Sequence, residues 1–210
     1  MPLEYEYPFR NYDKNIVLSK MKALGAKKEG HYIFRVIVFI HPLNTPNTYI
    51  RVRDEGKRIT MTYKYKDPAI EFEDENEIII DDFDQAVNIL YGVGCKKKYY
   101  YEKMREIWVF QNSEIVFDNN PGVPEIMEIE SKTKKELDSI TKLLDLTKYK
   151  YVKSKITITE ELYGFRILST VDLLFKTVKK VLGDSVIKNK KLFNKVTSDQ
   201  KKLFNSLYKK

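Results

Sequence analysis

The sequence predicts a mostly antiparallel α+β domain whose sheet closes, or nearly closes, into a β-barrel. Three observations carry this. Segments of strict two-residue alternation outnumber segments of helical spacing along the chain. Turn chemistry such as "DEGK" and "DNNPG" separates many of them. And whole alternating segments carry charge of a single sign on one face, where a solvated face ordinarily mixes signs because like pairs repel.

In chain order, Leu3 to Phe9 reads as a strand. Asp13 to Leu24 reads as a helix with Ile16, Val17, Met21 and Leu24 on its apolar face, stopped by Gly25. His31 to Ile40 is aromatic and β-branched, hence a strand, and "HPLNTPNT" is a loop. Strands follow at Thr48 to Arg53, Arg58 to Lys66 and Ile70 to Ile80, with "DEGK" as the hairpin turn between the first two. Asp82 to Leu90 is a short helix capped by Asp82 or Asp84. Further strands are expected around Lys97 to Phe110, Glu114 to Asp118 and Pro124 to Glu130, and then a helix from Lys132 to Leu144 opened by Ser131 or Thr133. "YGVGC" follows a helix and reads as a turn rather than a nucleotide-binding loop, with Cys95 buried. Beyond Leu144 the chain turns to basic helices. "VDLLFKTVKKVL" spaces Val171, Leu174, Phe175, Val178 and Leu182 along one helical face, and Thr197 with Gln200 has the spacing of a capping box for a last helix. A main domain over 1–170 and a basic extension over 171–210 are the expected division.

The net charge of +8 is unevenly distributed. Residues 174–210 hold eleven lysines and two aspartates, or +9, which leaves −1 for the rest. The basicity therefore belongs to the extension, and the main domain's partners must be read from where its balanced charges sit. One cysteine rules out an internal disulfide, and the longest apolar run, Val36 to Ile40, is too short to span a bilayer. The charged "EYEY" occupies the place of a secretory h-region, so a cytoplasmic protein is expected.

"EYEY" also opens the functional question. In a strand, Glu4 and Glu6 share one face and repel. The pattern recurs: Arg51 with Arg53, Lys64 with Lys66, Glu71 through Glu77, Lys103 with Arg105, Glu114 with Asp118, and Glu128 with Glu130. If these faces line the inside of a barrel, the cationic strands form a slot for a polyanion. The acidic strands form a nest for a hard divalent cation, which prefers carboxylate oxygens.

In this order and spacing the motifs resemble the CYTH proteins, or triphosphate tunnel metalloenzymes, over roughly residues 3–166. That family includes thiamine and inorganic triphosphatases, class IV adenylyl cyclases and metal-dependent RNA triphosphatases. Its E-x-E-x-K appears as Glu4-Tyr-Glu6-Tyr-Pro8, and its R-x-R as Arg51 and Arg53. Its strand lysine appears as Lys64, its acidic strand as Glu71 to Glu77, and its K-x-R as Lys103 and Arg105. Its lone aspartate appears as Asp118 and its late E-x-E as Glu128 and Glu130. "ITEELYG" near Leu162 resembles the segment that closes the family's fold.

The resemblance implies an eight-stranded antiparallel barrel, the triphosphate tunnel, with outer helices. It implies that Arg51, Arg53, Lys64, Lys103 and Arg105 hold phosphate oxygens. Glu4, Glu6, Glu128, Glu130 and Asp118 would bind one or two Mg²⁺ or Mn²⁺, a cation that offsets the repulsion within "EYEY". The expected activity is metal-dependent hydrolysis of a triphosphate, inorganic, nucleoside, thiamine or RNA 5′-triphosphate. Adenylyl cyclisation and catalytically weak polyphosphate or RNA binding are the alternatives. Pro8 departs from the family lysine and can offer neither charge nor a ladder hydrogen bond. Arg10, of the same face parity, is the candidate replacement. The basic C-terminal helices are read either as docked on the barrel with solvated lysines or as a handle for RNA or anionic lipid.

Overall fold

The structure, a computed structural model, describes residues 5–65, 74–150, 155–167 and 171–208. The strands are β1 (Tyr5–Phe9), β2 (Lys27–Ile40), β3 (Thr48–Asp54), β4 (Ile59–Tyr65), β5 (Asp74–Ile80), β6 (Lys96–Phe110), β7 (Ser113–Asn119) and β8 (Ile126–Ser131). All eight form one antiparallel sheet in the order β1-β8-β7-β6-β2-β3-β4-β5. The expected antiparallel tunnel architecture is thus present, as a sheet curled into a half-barrel with β1 and β5 at its edges.

The long central pair explains the curl. β2 and β6 are paired from Lys27↔Val109 to Ile40↔Lys96. β7 pairs with β6 from Met104 to Phe110, whereas β3 pairs with the opposite end of the duo, Arg35 to Phe39 of β2. Two arms attached at opposite ends of a twisted pair give the stagger that bends a sheet toward closure.

The convex face is apolar and helix-covered. α1 (Lys14–Ala23) and α3 (Lys134–Leu143) bury Val17, Met21, Leu137 and Ile140 against Phe9, Phe117, Met127 and Ile129. α2 (Phe83–Gly92) covers Ile37, Phe39 and Val52 with Phe83, Ala86 and Leu90. Each fully buried Val, Leu, Ile, Phe or Met side chain among these contributes about 1.5–3 kcal/mol. The caps are local: Asp13 accepts from the Asn15 and Ile16 amides, Asp82 from Gln85 and Thr133 from Glu136. On α1 only Val17 and Met21 of the expected apolar face are buried, and Ile16 and Leu24 are exposed.

The C-terminal third departs most from its local pattern. The helical spacing from Val171 is realised only in the short α5 (Val178–Leu182). Because β7 covers β6 only from Met104 onward, the edge of β6 at Tyr100–Glu102 lacks a strand partner on that side, and the preceding segment fills it. The Leu173 amide donates to the Tyr100 carbonyl at 2.9 Å, and the Glu102 amide donates to the Leu173 carbonyl at 3.0 Å. Satisfying buried backbone groups outweighs helical periodicity here.

Thr197 does not start a helix either. α6 runs from Lys190 to Tyr208, with the Thr197 hydroxyl donating to the Phe193 carbonyl one turn back at 2.9 Å. Packing decides this. Phe193 docks with Tyr163, Val178 and Leu182, and Phe204 with Phe175 and Met104. α4 (Lys155–Tyr163) supplies Tyr163 to that contact. Among the described residues no helix is long and apolar enough to cross a membrane.

Candidate active site

Alternation turns the opposite set of side chains inward, into a cavity of about 720 Å³. That size falls in the usual range of small-ligand sites, roughly 300–1,000 Å³. Its apolar lining is Phe34 of β2 and Ile107 of β6, which pack on Val36, Val38 and Val116 beneath. Charge stands on either side. Arg51, Arg53, Lys64, Lys103 and Arg105 all line the cavity, as do Glu6, Glu128 and Glu130.

The cationic wall is paired from within. Arg51 donates to Glu75 at 3.0 Å and lies 3.5 Å from Glu77. Arg53 contacts Glu55 at 2.6 Å and Glu77 at 3.2 Å, and Lys64 contacts Glu75 at 2.6 Å. Register is the reason: Lys64 faces Glu75 and Thr62 faces Glu77 across β4–β5, and Arg51 faces Thr62 across β3–β4. Glu75 and Glu77, the described part of the acidic strand, are therefore counterions of the cations and not a nest for a metal. Burial opposes ionisation of Glu77, yet Arg53, the Thr62 hydroxyl and Arg51 hold its carboxyl below the usual range.

Two guanidinium groups on this wall are incompletely satisfied. Among the described residues, the buried Nε atoms of Arg51 and Arg53 have no hydrogen-bond partner, and neither has the hydroxyl of Thr60, which faces Arg53 in register. Burial, and next the neighbouring Arg51, lower the pKa of Arg53.

On β6 and β7 the fully buried Asp118 accepts from Lys103 at 2.9 Å and from Arg105 Nε and Nη2, both at 2.7 Å. Arg105 also donates to Glu128 at 3.0 Å, linking the two sides. Burial alone would lower the Arg105 pKa, but Asp118 and Glu128 more than offset it and leave it raised. The acidic side is a row in register: Glu114 faces Glu130 across β7–β8, and Glu130 faces Glu6 across β8–β1. Burial raises the Glu114 pKa, with Arg105 opposing.

The structure thus brings together Glu6, Arg51, Arg53, Lys64, Lys103, Arg105, Glu128 and Glu130 around one cavity, with Asp118 behind Lys103 and Arg105. Glu4, Lys66, Glu71 and Glu73 lie outside the described residues. Arg10 is not among the lining residues; it is buried beside α4, 3.6 Å from Glu161. Pro8 sits opposite Glu128 in the β1–β8 pair. Glu55 and Arg58 were hidden in the "DEGK" turn region, although the parity of Arg51 and Arg53, continued one step, reaches Glu55. Among the described residues no three acidic, histidine or cysteine side chains converge tightly enough to enclose a metal by themselves.

Solved structures share this architecture. A protein of Pyrococcus horikoshii OT3 superposes with a TM-score of 0.61 at 24% identity, over 74% of this chain and 98% of the other. A putative adenylate cyclase of Vibrio parahaemolyticus superposes with a TM-score of 0.65 at 15% identity, over 76% and 98%. A conserved hypothetical protein of Pyrococcus furiosus gives 0.61 at 19% identity, over 74% and 99%. At these identities the likeness is one of fold. No curated protein matches the chain's sequence. The CYTH domain profile, however, matches residues 4–160. The chain belongs to the CYTH domain family, a family of divalent-metal, triphosphate-binding proteins that includes triphosphatases and adenylyl cyclases.

Proposed function

We propose that the protein hydrolyses a triphosphate held in this cavity with a divalent metal. The observation that supports it most is the pair of unsatisfied buried donors, Arg51 Nε and Arg53 Nε, on two residues that line the cavity wall. Leaving such groups unpaired costs about 1–3 kcal/mol each, more for charged ones. A phosphate chain supplies the acceptors they lack, and a guanidinium fork suits two oxygens of one phosphate.

The donor set on the opposite side fits a hard cation, since it offers the carboxylates of Glu6, Glu114, Glu128 and Glu130, and among the described residues no histidine or cysteine lines the cavity. Glu6, Glu128 and Glu130, with Glu4, would hold Mg²⁺ or Mn²⁺. When bound, the metal supplies charge neutralisation on the phosphoryl group and a polarised water. The chain's own residues do the rest. Arg51, Arg53 and Lys64 bind and orient the phosphate chain. Lys103 and Arg105, aimed by Asp118, place positive charge where negative charge grows as the anhydride breaks. Arg105, bonded to Glu128 as well, fixes the cationic side relative to the acidic one. The cytoplasmic setting expected from the sequence is part of the same proposal and accords with a single, buried Cys95.

The test is phosphate release from tripolyphosphate, ATP, thiamine triphosphate and 5′-triphosphorylated RNA with Mg²⁺ or Mn²⁺, with Arg53→Gln and Glu128→Ala alongside. Metal-dependent release lost in both variants supports the proposal. Cyclic AMP formed in place of phosphate would make the protein a cyclase, and tight binding without turnover would make it a binding protein.

A further inference from the structure

The C-terminal segment places an exposed, strongly cationic surface on an otherwise nearly neutral protein. Every described lysine from Lys176 to Lys202 is exposed. The residues α6 buries are Phe193, Thr197, Gln200 and Phe204, spaced along one face, so its lysines occupy the remaining faces. Its nineteen residues span about 28 Å at 1.5 Å per residue.

The helix is fastened to the site's own framework. The Gln200 side chain accepts from the Gly122 amide at 2.9 Å and donates to the Asn120 and Val123 carbonyls at 2.9 and 2.8 Å. These residues form the turn joining β7, which carries Asp118, to β8, which carries Glu128. Gly122 has φ +76°, and a side chain there would meet Phe193 of α6 at 3.1 Å. The basic surface therefore keeps a fixed position relative to the candidate active site.

We infer that the exposed lysine face of α6 is a binding surface for the phosphate backbone of single-stranded RNA, and that the triphosphate entering the cavity is an RNA 5′ end. The second half rests on the proposed hydrolase reading. Charge complementarity argues for a polyanion, because residues 174–210 carry +9 while the rest of the chain carries −1. The use of the apolar face argues against a membrane, since the exposed apolar residues of the segment, Val181, Ile187, Leu192 and Tyr208, are divided among α5, α6 and the link between them. An interfacial helix inserts its apolar side into lipid, whereas Phe175, Val178, Leu182, Phe193 and Phe204 are all turned into the protein. A small inorganic triphosphate has no use for a surface of this length.

The experiment compares the full chain with a variant carrying Lys190→Gln, Lys191→Gln, Lys201→Gln and Lys202→Gln, exposed residues outside the cavity. First, a fluorescent 20-nucleotide RNA with a 5′-hydroxyl is titrated in EDTA, so that neither a metal nor a triphosphate contributes. Wild type should bind with an affinity falling steeply with salt, with a slope of about −0.7 per phosphate neutralised. The variant should bind at least about tenfold more weakly, with a shallower slope and an unchanged Tm. Second, the variant should raise KM for 5′-triphosphorylated RNA and leave tripolyphosphate turnover unchanged. RNA affinity equal to wild type overturns the inference, and so does binding to phosphatidylserine vesicles but not to RNA. Loss of hydroxyl-RNA binding in the variant, with no triphosphate turned over by either protein, supports the surface and defeats the hydrolase reading.

Discussion

The two sides of the cavity are built on different principles. The cationic wall carries its own counterions: Glu55, Glu75 and Glu77 sit against Arg51, Arg53 and Lys64 at 2.6–3.5 Å. The acidic side instead sets Glu6, Glu130 and Glu114 in register on adjacent strands, where like charges repel. On the proposed reading, the first set holds the phosphate chain and the second takes a divalent cation that relieves this repulsion. Arg105, bonded to Asp118 and Glu128, is the bridge between them.

Breaking that bridge should have the largest effect. Arg105→Ala removes a bidentate partner from a fully buried aspartate. Loss of one partner of a buried pair costs about 3–5 kcal/mol, so Tm should fall by about 10 °C, as calorimetry would show. A fall of under 2 °C would mean that Lys103 alone satisfies Asp118.

Metal addition probes the acidic side next. Millimolar Mg²⁺ should raise Tm by several degrees through ligand linkage, and Glu130→Gln should remove most of that rise. A flat response across the titration would break the contrast between the walls.

A smaller effect is expected at Glu77. Glu77→Gln frees Arg51 and Arg53 for phosphate, so tripolyphosphate should bind several-fold more tightly in EDTA, read by calorimetric titration. Weaker binding would mean that Glu77 orients the arginines rather than competing for them. The same variant carries a pH signature. The Glu77 pKa lies below its ordinary 4.5 in the folded state, so its contribution is present above 4.5 and is lost as pH falls through the folded value. Glu77→Gln should therefore flatten the decline of Tm below pH 4.5, and an unchanged slope would assign that decline to other carboxylates.

Much of this site is legible in the sequence because strand alternation is local. The parity that sets Arg51 with Arg53, or Glu128 with Glu130, survives into the structure as a shared wall. What alternation does not encode is which strand lies beside which. The acidic strand reads as a cation nest until the β4–β5 register puts Glu75 opposite Lys64. The helix expected from Val171 fails for a similar reason, since the bare edge of β6 that captures Leu173 is a non-local fact. Thr197 has the local chemistry of a cap, but two phenylalanines docking on either side of it carry the helix straight through. Arg10 keeps the parity of Glu6 only while the strand lasts, and β1 ends at Phe9.

On the proposed reading, the cationic wall holds the phosphate chain whether or not a metal occupies the acidic side. Calorimetric titration of tripolyphosphate in EDTA tests it most directly, using wild type, Arg53→Gln and Glu130→Gln. Binding should weaken about tenfold or more in Arg53→Gln, the loss of a charged hydrogen-bonding group being about 1.5–3 kcal/mol, and should be kept in Glu130→Gln. Equal binding by wild type and Arg53→Gln, or its loss in Glu130→Gln, would mean that the cationic wall does not hold the phosphate chain by itself.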